Sequence, residues 1–180
     1  MTGHTLDIAL LALLAAAVAI DGRSRRIPNA LTLPAMGAAL AWHAIHAGAQ
    51  GFAFSLGGLG AGLGLMFAPY LMGGLGGGDV KLLAAVGAAK GAWFVFVAFL
   101  CMAIAGGLMG LAFALCRGRL RISLRNMKTI CVLLYCRTDP RKAGNADAAQ
   151  AAGAFPYAGA IAVGVILAHI LTPWLFHVSG

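Results

Sequence analysis

The chain has 180 residues, 61% of them apolar and only 10% charged, with 26 glycines, a balance that excludes an ordinary water-soluble domain. Its formal net charge of +8 would suggest a nucleic-acid partner in a soluble protein, but three of the thirteen basic residues are Arg23, Arg25 and Arg26, and eight more lie between Arg117 and Lys142. Basic segments stay on the cytoplasmic side of a membrane, so this asymmetry reads as topology and no nucleic-acid partner is expected.

Apolar runs recur along the whole chain, each near the ~20 residues that cross a ~30 Å hydrocarbon core as a helix. The first, from Leu6 to Ile20, lacks a preceding basic stretch and is read as a span of the mature protein, not a signal peptide. Span one runs from about His4 to Asp21, and its end is cytoplasmic because the arginines follow it. Ile27-Pro28-Asn29 then opens span two, about Ala30 to Ala47, since proline suits a first helical turn. Residues 46 to 51 carry no Lys or Arg and form an outward-facing turn before span three, about Phe52 to Met72. The run from Gly73 to Gly78 reads as an irregular loop.

The 37 residues from Val80 to Cys116 must cross twice if both flanks are cytoplasmic, with a tip at Lys90-Gly91. That leaves span four with ten residues to Ala89, too short to cross alone and in need of shelter from its neighbours. From Leu120 to Tyr135, apolar residues Leu120, Leu124, Met127, Cys131 and Leu134 share one helical face, and Arg121, Arg125 and Lys128 another. This spacing predicts an amphipathic helix on the cytoplasmic surface. A polar loop follows, then span six, about Phe155 to Phe176. The expected fold is a single all-α integral-membrane domain, residues 1–180, with six transmembrane helices and both termini outside.

The acidic inventory is five aspartates and no glutamate. Asp7, Asp139 and Asp147 read as solvated charges. Asp21 and Asp79 each adjoin an apolar run, where an ionisable group is costly and usually faces a cavity or a partner. One ends an inward span and the other begins an outward one, so both lie near the cytoplasmic membrane boundary. Two readings are open on topology alone: helix-end residues neutralised by Arg23 or Lys81, or two carboxyls that share a proton and activate water. His43 and His46 form an HxxH at the outer end of span two beside Trp42; with His169 and His177 they read as interfacial residues, and no metal is expected. Gly57, Gly60 and Gly64 read as helix-packing positions of span three. The four cysteines form no CxxC pair and read as reduced structural thiols.

Gly76-Gly77-Gly78-Asp79-Val80-Lys81 resembles the GxGDxK segment of the type IV prepilin peptidases, a group of GxGD membrane aspartyl peptidases. Asp21 followed by Ile27-Pro28-Asn29 is similar to the family's first-aspartate motif, and Phe155-Pro156-Tyr157-Ala158-Gly159-Ala160-Ile161 to its Pro-Tyr entry into the last span. The resemblance implies that Asp21 and Asp79 are the catalytic pair, with Gly76, Gly78, Lys81, Ile27, Pro28, Asn29, Pro156 and Tyr157 as accessory motif residues. The missing CxxC pairs make it closest to the short, peptidase-only members associated with tight-adherence (Flp) pili and with archaeal flagellin-like substrates, so methylation by this chain is not expected. It implies an inner-membrane endopeptidase that needs no cofactor and acts on prepilin-like proteins.

The glycines before Asp79 are expected to supply φ > 0 and close substrate approach; Lys81 is accessory at most, either staying near Asp79 and favouring its ionised form or, as lysines at a membrane edge more often do, snorkelling. The helix ends suit Asp79 as base and Asp21 as acid. The rival readings are a proton-coupled transporter and a structural subunit of a pilus or secretion machine.

Overall fold

The computed structural model describes residues 2–24, 27–71, 76–116 and 157–177. The regular structure among them is entirely helical: α1 (Thr2–Ser24), α2 (Asn29–Leu71), α3 (Gly77–Lys90), α4 (Ala92–Cys116) and α5 (Tyr157–His177). Three helices are long and apolar enough to cross a membrane, through Thr5–Ser24 in α1, Asn29–Leu71 in α2 and Ala92–Met109 in α4; the apolar stretch of α5, Ala158–Thr172, is shorter. The glycine loop at 72–75, Arg25 and Arg26, the amphipathic segment at 120–135 and Pro156 lie outside the described residues.

A continuous helix of 43 residues would be about 65 Å long, twice the hydrocarbon thickness. The α2 segment is not continuous. Ala47 has φ −134°, ψ 15° and Gly48 has φ 59°, ψ −143°, the latter a conformation open in practice only to glycine. The rings of His43 and Phe54 are 5.3 Å apart, although eleven residues of straight helix would separate them by about 16 Å. The chain therefore doubles back at Ala47-Gly48, inside the expected turn, and arms 29–46 and 49–71 lie side by side.

α3 fills the cleft between those arms. It runs parallel to the first arm: Lys81 bonds Asn29, Ala84 and Ala85 pack on Met36, and the Ala89 carbonyl meets His43 Nε2 at 3.1 Å. It runs antiparallel to the second. The buried Ser55 hydroxyl donates to the Ala88 carbonyl at 2.7 Å, a Cβ on Gly58 would run into the Gly87 carbonyl, and a Cβ on Gly62 would lie 2.7 Å from the Leu83 carbonyl. Lipid supplies no hydrophobic force between helices, so such backbone contact and interhelical hydrogen bonds, about 1 kcal/mol each, carry the association. With Leu82 to Ala89 all buried, the short α3 is sheltered as its length demands. The packing glycines are Gly58 and Gly62. Gly57, Gly60 and Gly64, expected in that role, have open space where a Cβ would stand, because the face of the arm that meets α3 is set by α3 and not by glycine spacing.

α3 ends at the predicted tip, where Gly91 takes φ 87° and its N–H donates to Gly87 at 2.7 Å. A side chain at Gly91 would collide with the Phe54 ring. α4 then packs chiefly on α5, where Gly164 lets Met102 and Ala98 come within contact. α1 buries Leu10, Leu14 and Ala17. Asp7, expected to be solvated, instead forms an ion pair with Lys90 of α3, and the Lys90 ammonium lies 5.7 Å from the centre of the Phe94 ring. Of the histidines, His43 clasps the α2 turn to α3, His46 stacks on Trp42, and His169 meets Phe94 edge-on.

Candidate active site

The last turn of α1 and the first turn of α3 each carry one buried carboxyl. Asp21 is 7% exposed and Asp79 8%, and they are close enough for the charge on Asp21 to act on Asp79. Few buried carboxyls lack hydrogen-bond donors, and each of these has a backbone N–H at a helix N-terminus. Asp79 Oδ2 accepts from the Gly76 N–H at 3.1 Å, while the Gly76 carbonyl accepts from the Asp79 N–H at 3.1 Å. This reciprocal pair closes the first turn of α3. Asp21 Oδ2 accepts from the Ala158 N–H, the second residue of α5, at 3.3 Å.

That second contact changes the expectation about roles. Asp21 ends α1, but it also caps α5 and so faces the positive end of a different helix. The helix ends therefore do not divide acid from base between the two carboxyls.

The motif residues around the pair are brought together by contacts that local pattern alone does not predict. Gly76 is extended, with φ −78°, and Gly78 is helical; neither supplies the positive φ expected of the loop. Gly78 is needed for closeness: a Cβ there would lie 2.8 Å from the Ile27 Cβ and 3.0 Å from the Ile27 carbonyl. Ile27 is buried against it. The Pro28 carbonyl accepts the Leu31 N–H at 3.0 Å and starts α2, and Asn29 Oδ1 accepts from Lys81 Nζ at 2.8 Å. Lys81 thus ties the Ile-Pro-Asn segment, the strap that leads into α2, to α3 beside the turn that carries Asp79. Tyr157 opens α5, one residue before the N–H that Asp21 accepts.

Among the described residues, no group of three or more His, Cys, Asp or Glu side chains is placed to hold a metal ion. Sequence reasoning did not single out Thr32, whose hydroxyl is buried without a hydrogen-bond partner one turn before Met36, which packs on Ala84 and Ala85 of α3. Its only signal was a polar residue one turn after Pro28 in an apolar helix. It also missed Ala158, because a backbone N–H carries no side-chain signature.

No curated protein and no solved structure shows significant similarity to the chain. The family model described as the type IV leader peptidase family matches residues 8–111, a stretch that contains Asp21, the Ile-Pro-Asn strap and Asp79 and ends before Pro156 and Tyr157. With more than half of its length matched, the chain belongs to the type IV leader peptidase family.

Proposed function

We propose that the chain is an aspartyl endopeptidase of the inner membrane that removes the leader of Flp-type prepilin-like proteins, with Asp21 and Asp79 as the catalytic dyad. The observation that carries this reading is the burial of two like-charged carboxyls within electrostatic reach, each held by a backbone N–H. Such a pair is relieved by sharing one proton. The ionised member takes a proton from water, the resulting hydroxide adds to the scissile carbonyl carbon, and the protonated member gives its proton to the carbonyl oxygen. Collapse of the tetrahedral adduct breaks the C–N bond: one of its hydroxyl protons returns to the member that acted as acid, restoring the shared proton, and the proton first taken from water goes to the leaving amine.

Among the described residues, counting the two arms of α2 separately gives six helical segments, and the proposed topology has all six crossing with both termini outside. The dyad then sits at the cytoplasmic boundary, where a basic leader joins a hydrophobic helix, so the bond is reached without withdrawing that helix from lipid. The face of α1 buried between Asp7 and Asp21 is Leu10, Leu14 and Ala17, which offers no proton relay and weighs against transport. Incubating the purified protein with an Flp-type prepilin and sequencing the new N-terminus tests the reading. A cut at the leader junction supports it, and an intact substrate under conditions where the protein is folded refutes it.

A further inference from the structure

Helical threonines and serines satisfy their hydroxyls by donating to a carbonyl one turn back or on a neighbouring helix. Thr172 donates to Ala168 at 2.5 Å, Ser24 to Ile20 at 2.9 Å and Ser55 to Ala88 at 2.7 Å. Thr32 does not. It is fully buried and its Oγ1 has no hydrogen-bond partner. The other buried side-chain oxygen in that state among the described residues is Asp7 Oδ1, which lies against the Lys90 ammonium. A valine of the same shape would fill the Thr32 site without burying an unmatched hydroxyl, so packing does not account for the oxygen.

The helix register fixes its depth. Along α2, Thr32 lies between Asn29, which bonds Lys81, and Met36, which packs on Ala84 and Ala85. It is therefore level with Leu82 and Leu83, about one turn, or ~5 Å, from Asp79. On the other side Leu13 packs against the Met36 cluster, and α1 runs antiparallel to this arm. That places the buried Ala17 at the level of Thr32 and Asp21 about one turn beyond it. Thr32 Oγ1 makes no direct hydrogen bond to either carboxyl, and an axial offset of one turn on each side leaves a separation that one water can bridge.

We propose that Thr32 is a positioning residue of the dyad, its hydroxyl holding a water that hydrogen-bonds the carboxyl pair from the membrane side. This rests on the dyad reading above. The hydroxyl offers one donor and two acceptor sites, so it serves the water whichever carboxyl carries the shared proton. With the backbone N–H groups of Gly76 and Ala158, it completes a set of neutral partners that fix the carboxyls without adding charge.

The test compares Thr32→Val and Thr32→Ser with wild type and with Asp79→Asn, following prepilin cleavage and thermal unfolding in the same detergent. Thr32→Val is expected to lower kcat by about 10- to 100-fold with KM unchanged and with an unfolding midpoint no lower than wild type; Thr32→Ser restores kcat. If Asp79→Asn is inactive and Thr32→Val retains kcat within about twofold of wild type, the positioning role is wrong while the dyad stands. A Thr32→Ser enzyme as impaired as Thr32→Val, or a Thr32→Val enzyme whose losses follow a lowered midpoint, assigns Thr32 to packing and overturns the proposal. Wild type that fails to cut, or Asp79→Asn that cuts normally, removes the dyad reading and this inference with it.

Discussion

At one end of the bundle Asp7 of α1 meets Lys90 of α3; at the other, Asp21 of α1 and Asp79 of α3 bring like charges into range on the same two helices. The first pair joins opposite charges in a low-dielectric setting and draws the helices together. The second buries two acids, a cost offset in part by the Gly76 and Ala158 N–H groups that the carboxyls accept from. Leucine or asparagine would pack at less cost than the two buried acids, and that excess cost is what the proposed dyad accounts for.

The sharpest way to break this comparison is at the acids. Asp21→Asn and Asp79→Asn should each reduce cleavage by at least about 1,000-fold, because asparagine keeps the shape but exchanges no proton. Their thermal unfolding midpoints should equal or exceed that of wild type, since a neutral amide of the same shape is buried at less cost than an ionisable carboxyl. A variant that loses activity only in proportion to folded protein would place the acids among structural residues.

The next effect concerns the frame that positions Asp79. Gly87→Ala puts a methyl into the Gly58 carbonyl and should lower stability by about 1–3 kcal/mol, measured by thermal unfolding in detergent. Gly57→Ala and Gly64→Ala, where the added methyl meets open space, should stay within about 0.5 kcal/mol of wild type. Equal effects at all these positions would contradict the assignment of Gly58 and Gly62 to the interface.

At the ion-paired end the expectation reverses. Lys90→Gln and Asp7→Asn should each lower stability by about 1–3 kcal/mol while specific activity per folded molecule is kept, and the double variant should cost less than the sum of the singles. Additive losses would show that the pair is not coupled. The smallest effect is expected for Asn29→Ala: its bond to Lys81 is exposed and worth about 0.5–1.5 kcal/mol. A modest fall in activity with an almost unchanged midpoint would mark it as alignment of the strap, and a collapse of stability would mark it as structural.

What the sequence determined by itself was whatever depends on local chemistry. Apolar run length and composition demanded membrane-spanning helices, proline and glycine marked the start of α2 and the tip at Gly91, and two aspartates beside apolar runs stood out because ionisable groups there are rare. The Asp21 and Asp79 motifs were legible for that reason and lie within the family match.

What only the tertiary structure decided was whatever depends on which faces meet. Glycine periodicity in residues 57–64 fits several helical faces equally, and the approach of α3 selected Gly58 and Gly62. Asp7 read as solvated because its partner lies 83 positions away at the end of α3. Asp21 read as the negative end of α1 until α5 brought the Ala158 N–H to it. Gly76 and Gly78 read as turn formers, yet they are small because Asp79 and Ile27 crowd them. In each case the deciding atom belongs to a helix distant in sequence, so no local pattern could contain it: periodicity fixes a residue's angle on its own helix, and only the packing of the others fixes what that angle faces.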